Sequence, residues 1–208
     1  MAHDHHRHGR HGNPADLALM LKRQLDPARA AWQKPDLLVA ALGLRRGQVV
    51  AELGSGPGYF TLRLARAVGP SGRVYAVDPE PAMLQALRAR LERSGLRNVT
   101  PILGMGDDPL LPPASCHLAL IVNAYHHFAD GRALLRQLTR ALRPRGRVVN
   151  VDWALRETPV GPPLERRVAP DTFIRAARGA GLRLIRARDL LPHQYFLVLE
   201  RARNARTT

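Results

Sequence analysis

Lysine and cysteine are almost missing from this chain, aromatic residues are few, and no apolar run is long enough to span a membrane. Each scarcity removes a class of protein. A single cysteine, Cys116, excludes an internal disulfide and any site built from several thiolates. The apolar runs fall well short of the roughly 20 residues that cross a bilayer. The opening residues, Met1-Ala2-His3-Asp4-His5-His6-Arg7-His8, hold no apolar signal core, so nothing directs export and a cytoplasmic location is expected. With aromatics at 5%, there is little from which to build a platform that interleaves stacking rings with basic residues.

Arginine is what the chain has in excess. The formal net charge is +15 over 208 residues, and lysine supplies only Lys22 and Lys34 of the basic side chains. A charge of this size is the footprint of an anionic partner such as nucleic acid or a membrane surface. In the sequence, however, the arginines are spread over every helical pattern rather than gathered in one stripe. That spread favours general use of arginine over a dedicated nucleic-acid surface. A hydrophobic share of 45% suits one well-buried globular domain at this length.

Residues 1–12 form a histidine-rich tract, expected to be a disordered tail with weak affinity for metals. Asn13-Pro14 opens a helix with Leu17, Met20, Leu21 and Leu25 on one face, and Asp26-Pro27 stops it. Asp36 is placed to cap a second helix carrying Leu37, Leu38, Ala41 and Leu42. These helices, in a segment spanning residues 13–46, precede the first strand and are positioned to lid a pocket. From Gln48 onward, strand and helix patterns alternate. Val49–Leu53, Arg73–Val77, Val99–Leu103, Leu118–Val122 and Arg147–Val151 read as strands, and the runs between them carry helical spacing. Alternation of this kind argues a parallel sheet covered on both faces. Leu182–Ala187 and Tyr195–Glu200 are joined too closely for a crossover helix, so they should pair antiparallel. The main domain is expected over residues 47–201, with a basic tail at 202–208.

In such a sheet, ligands lie beyond the carboxyl ends of the strands, so the residues just after each strand are the ones to read. The first strand runs into Glu52-Leu53-Gly54-Ser55-Gly56-Pro57-Gly58-Tyr59, a strand–turn–helix junction whose turn lacks side chains. Glycine supplies positive φ and close approach, and a helix amino terminus beside it offers unpaired N–H groups. A dinucleotide fingerprint would have its third glycine where Tyr59 stands, and Glu52 would repel a phosphate. The turn therefore suits a ligand end bearing an ammonium or hydroxyls. After the second strand, Asp78 is placed to accept from both ribose hydroxyls or to cap the helix that follows, with Pro79 stiffening the turn. After the third strand, Asp107 and Asp108 offer a carboxylate for an exocyclic amine, or merely turn the chain. The fourth strand ends in Asn123-Ala124-Tyr125-His126-His127-Phe128, and the fifth in Asn150-Val151-Asp152-Trp153. Asp152 reads as a second base or a metal ligand.

Taken in order, these features resemble the class I S-adenosylmethionine-dependent methyltransferases over roughly residues 35 to 200. Glu52-x-Gly54-x-Gly56-x-Gly58 resembles the family's first motif, Asp78 its ribose acid, and Asp107 or Asp108 its adenine-contacting acid. Leu142-Arg143-Pro144-Arg145-Gly146 resembles the Leu-x-Pro-Gly-Gly turn before the fifth strand, with Arg145 in place of a glycine. The resemblance implies a Rossmann-like seven-stranded α/β sheet, mostly parallel, with a carboxy-terminal antiparallel pair. It implies S-adenosylmethionine as cofactor, S-adenosylhomocysteine as product, and contacts from Glu52, Gly54, Ser55, Gly56, Gly58, Tyr59, Asp78, Pro79, Asp107, Asp108 and Asn123. The tract Tyr125-His126-His127 resembles that of small-molecule methyltransferases of quinone and sterol type, and not the Asn/Asp-Pro-Pro-aromatic motif of nucleobase N-methyltransferases. Tyr125, His126 and His127 are the catalytic candidates, either histidine serving as a base or as a wall of the cofactor pocket. The family's divalent-metal members carry acids after both the fourth and fifth strands. With Asn123 at the fourth-strand position, no metal is expected. The expected acceptor is a small molecule. An RNA-directed methyltransferase and a non-catalytic S-adenosylmethionine binder are the alternatives, and the oligomeric state is unread.

Overall fold

A computed structural model describes residues 14–202, so the histidine-rich head and all but the first residue of the basic tail lie outside the described residues. Three short helices come first: α1 (Pro14–Leu25), α2 (Arg29–Gln33) and α3 (Pro35–Ala41). Strands and helices then alternate: β1 (Val49–Leu53), α4 (Thr61–Val68), β2 (Arg73–Asp78), α5 (Pro81–Ser94), β3 (Val99–Leu103), β4 (Cys116–Val122), α6 (Gly131–Ala141) and β5 (Leu142–Trp153). The chain closes with α7 (Pro170–Gly179), β6 (Leu182–Arg188) and β7 (Gln194–Arg201).

The seven strands form one sheet in the order β3-β2-β1-β4-β5-β7-β6. β1 to β5 pair in parallel, and β7 runs antiparallel to both β5 and β6. The expected seven-stranded, mostly parallel sheet with its antiparallel closing pair is the observed one. Strand ends moved most at β5, which extends at both ends of the expected Arg147–Val151 because Leu142 already pairs with Cys116 across a bulge.

Side chains alternate across the sheet, and each face has its own helices. Leu53, Ala119, Ile121 and Val148 pack toward α6 and α7, whereas Val50, Leu118, Leu120 and Val151 pack toward α3 and α4. Ala76 joins Leu84 and Leu87 of α5 in a satellite cluster with Leu62. Burial on both faces explains why the central strands read as nearly continuous apolar runs. α6 shows the local logic: the Asp130 carboxylate accepts from the Ala133 N–H at 2.9 Å, and Leu134, Leu135 and Leu138 are buried along one stripe. α3 departs from expectation. Lys34, with φ of 41°, stands at its cap position and no side chain caps it, because Pro35 fills the first turn. Asp36 reaches instead to Arg63 at 3.2 Å.

The strand order reverses at β1, with β2 and β3 on one side and β4 and β5 on the other. Leu53 lies level with Val77 and with Ile121, and Val122 with Val151. The carboxyl ends of these four strands therefore share one edge, at the switch point where open α/β sheets bind ligands.

Candidate active site

The glycine turn at the end of β1 is held from below by its own backbone. The N–H groups of Gly54 and Ser55 both donate to the Val77 carbonyl, at 2.9 and 3.0 Å, and that of Gly58 donates to the Ser55 carbonyl at 3.0 Å. The Gly56 N–H donates to the Asp78 carboxylate at 2.7 Å. Four N–H groups that an anion nest would need are thus taken up inside the protein. The amino end of α4 beside the turn carries no side-chain cap. Close packing sets the glycines: a Cβ on Gly58, at φ of 87°, would meet Leu87 at 2.5 Å, and one on Gly54 would meet Ala124 at 2.6 Å. At Gly56 the occupant of that space is the Gln24 side chain of α1, so the amino-terminal helix lies on the turn itself.

Asp78 is 7% exposed and ties this turn to the next one. One carboxylate oxygen takes the Gly56 N–H and the other takes the Glu80 N–H at 3.0 Å, at the amino end of α5. Glu52, 3% exposed, accepts from the Thr61 hydroxyl at 2.5 Å. Burial pushes its pKa up to about 8, while the Thr61 hydrogen bond opposes the rise, Asp78 adds to it and Arg29 opposes it. Arg29 of α2 stacks on the Tyr59 ring, its guanidinium carbon 4.1 Å from the ring centroid. Burial lowers the Arg29 pKa to about 10, and Tyr59 and Glu52 pull it back up. Buried side-chain polar atoms without a partner include Ser55 Oγ and Tyr59 OH, both on this turn. Unsatisfied polar atoms on this glycine-rich turn form a cradle that suits a polar ligand.

Beside the turn runs a narrow crevice walled by Val77, Pro79, Gly104, Phe128 and Leu134, with Asp108 at its edge. Its walls are mainly apolar. Of the two expected acids, Asp108 lines this crevice and its Oδ1 accepts from the Leu110 N–H at 2.8 Å. Asp107 is exposed and is not part of the lining.

Across the edge, the ends of β4 and β5 bring a histidine and a carboxylate together. His126 Nδ1 is 2.9 Å from Asp152 Oδ1 and 3.2 Å from Oδ2, and the two side chains are only 4% and 1% exposed. The Trp153 N–H holds the same Oδ1 at 2.9 Å. The His127 ring is exposed and lies 4.0 Å, centroid to centroid, from that of His126. Tyr125 is placed elsewhere than its catalytic candidacy required. It turns into the core, packs edge-to-face on Phe173 at 4.7 Å, and its hydroxyl lies against Gly131 at the start of α6. Asn123, at φ of 53°, joins a closed ring of amides. It donates to Gln33 at 3.0 Å, Gln33 donates to Gln194 at 2.8 Å, and Gln194 donates to Asn123. Trp32 and Trp153 face each other 5.1 Å apart beside that ring. Among the described residues, no three His, Cys, Asp or Glu side chains gather as a metal site. No helix of the described residues is long and apolar enough to cross a membrane.

Residues 50–146 match the family described as a methyltransferase domain. Together with the fold, this match supports a class I S-adenosylmethionine-dependent methyltransferase. Its fold is close to that of a solved SAM-dependent methyltransferase from Aquifex aeolicus, with a TM-score of 0.84, 22% identity, and 92% of this chain and 100% of that one covered. In sequence it is 40% identical over 101 residues to a protein-L-isoaspartate O-methyltransferase from Ignicoccus hospitalis, covering 49% of this chain and 47% of that protein. It is 30% identical over 113 residues to a ubiquinone/menaquinone biosynthesis C-methyltransferase from Pasteurella multocida, covering 54% and 42%. The match thus spans less than half the length of these two relatives. Their names differ in the atom methylated, so they do not agree on an acceptor. The cofactor that this methyltransferase family implies is S-adenosylmethionine.

Arg29, Gln24 and the Gln33 ring partner are site residues that the sequence did not single out. Their one signal was position: they lie in the helical segment expected to lid the pocket.

Proposed function

We propose that this chain methylates a small-molecule acceptor, with residues 47–201 as the catalytic domain and residues 13–46 as a lid over its cofactor edge. The observation that carries this reading is the buried His126–Asp152 pair, which sits on the same sheet edge as the glycine turn. S-adenosylmethionine supplies an electrophilic methyl group on a sulfonium. Glu52 would face its ammonium, Arg29 its carboxylate, Asp78 its ribose hydroxyls and Asp108 the exocyclic amine of its base. Gly54, Ser55, Gly56, Gly58, Tyr59 and Pro79 provide close surface, and Asn123 fixes the lid through Gln33.

Asp152 holds the Nδ1–H of His126, which leaves Nε2 as the nitrogen that accepts a proton from the acceptor. A proton leaves the acceptor whether oxygen or carbon is methylated, so this pair serves either chemistry. Placement of the nucleophile in line with the departing sulfur is the larger requirement, and a lidded, aromatic-walled site with Trp32 and Trp153 suits it. His127, exposed and with its ring tilted against that of His126, serves as a wall.

Turnover of methyl-labelled cofactor with a pooled set of phenols, quinols and carboxylic acids tests the reading. Label in the small-molecule fraction is expected, with His126→Ala slower by about 10²-fold and His127→Ala near wild type. Label that appears only in added RNA contradicts the acceptor class, and an unchanged His126→Ala rate contradicts the base.

A further inference from the structure

Helices α3, α4 and α5 enclose a groove of about 680 Å³ on one face of the sheet, separate from the acceptor edge. Arg63 and Arg66 of α4 and Arg90 of α5 line it, together with Asp36 and a small apolar floor that includes Leu62. The arginines that looked scattered in the sequence converge here, because spacings of three residues place Arg63 with Arg66 and Arg90 with Arg93 on common helix faces. Burial lowers the pKa of Arg90, and the charges of Arg93, Arg63 and Arg66 lower it further.

The groove is poorly neutralised from within. Asp36 is the acid lining it, and that side chain is 92% exposed and already engaged with Arg63. Arg90 donates to the Pro57 carbonyl at 2.7 Å, which anchors it to the back of the glycine turn. Arg66 and Arg93 have no hydrogen bond or ion pair among the described residues. Three guanidiniums lining one concavity, with Arg93 beside Arg90 on the same helix face, raise the local potential and favour an anion with several charged oxygens, which planar guanidiniums bind in bidentate fashion.

We propose that this groove binds a ligand carrying two or more adjacent phosphate groups, seated among Arg63, Arg66 and Arg90. Adjacent phosphates occur in free oligophosphates and in an RNA backbone, and the same guanidiniums serve both.

Titration calorimetry of the full chain with inorganic tripolyphosphate, and separately with a short single-stranded RNA, tests the proposal. Wild type is expected to bind tripolyphosphate at one site. Arg66→Glu should weaken it by about tenfold or more. Arg140→Glu, the same charge change on exposed α6 across the sheet, should leave it within about twofold. Melting curves of both variants verify folding. RNA that binds with the same Arg66 dependence identifies a nucleic-acid backbone as the source, and binding of tripolyphosphate alone identifies a free oligophosphate. No binding by wild type, or equal losses in Arg66→Glu and Arg140→Glu, overturns the proposal.

Discussion

Arg145 holds φ of 63°, in the left-handed region that favours glycine, near the start of β5. A side chain there strains the backbone by roughly 1–2 kcal/mol, and glycine gives back part of the gain through greater freedom in the unfolded chain. Arg145→Gly should therefore stabilise the protein by about 0.5–1 kcal/mol, read as a rise of a few degrees in melting temperature. A fall would show that the arginine side chain makes a compensating contact. At Glu52 the residue-level consequence is one of pH. Its folded pKa of about 8 lies above the ordinary glutamate range, so across that interval the folded chain keeps a proton that the unfolded chain has lost. Stability from this group is complete in acid and declines as pH rises through about 8. The melting temperature of cofactor-free wild type should fall between about pH 5 and about pH 8.5 more steeply than that of Glu52→Gln. Parallel slopes would place the proton elsewhere. The acids Glu52, Asp78 and Asp108 drew attention in the sequence because each stands at or after the carboxyl end of a strand. The His126–Asp152 pair was not, because its members are 26 residues apart and meet only once β4 and β5 pair in register.

Elements are where the sequence was most and least informative. β1 to β4, α5 and α6 declared themselves through period and punctuation, since buried parallel strands and amphipathic helices leave distinct patterns. α2 did not: five residues between two proline-bearing turns give no periodicity to read. Its importance is tertiary. Gln33 is fully buried and bridges Asn123 and Gln194, 90 and 161 residues away, so the amino-terminal segment is fastened to the ends of β4 and β7 by three amides that satisfy one another. Arg29 adds hydrogen bonds to Gln33 and to the Gln24 carbonyl. Gln33→Leu would leave the Asn123 and Gln194 amides short of partners in a dry site. The expected cost is about 2 kcal/mol or more in denaturant unfolding. A loss within a few tenths of that of an exposed control such as Gln85→Leu would mean the ring contributes no net stability.

For the molecule as a whole, one sheet carries two kinds of surface. Its carboxyl edge gathers acids, a buried histidine and a glycine-rich turn, and the outer faces of α4 and α5 gather cations. The two meet at Pro57, whose carbonyl holds Arg90 behind the turn. The overall charge of +15 gave no hint of that division, because a helix face is a three-dimensional fact and a count is not. The central claim is that the edge is a cofactor site organised by Asp78, which couples the glycine turn to the end of β2. Calorimetric titration of S-adenosylmethionine into wild type and Asp78→Ala tests it most directly. Wild type should bind one equivalent, and the variant should bind about tenfold or more weakly while remaining folded. Equal affinity in the two proteins would contradict the assignment of Asp78 and the site built around it.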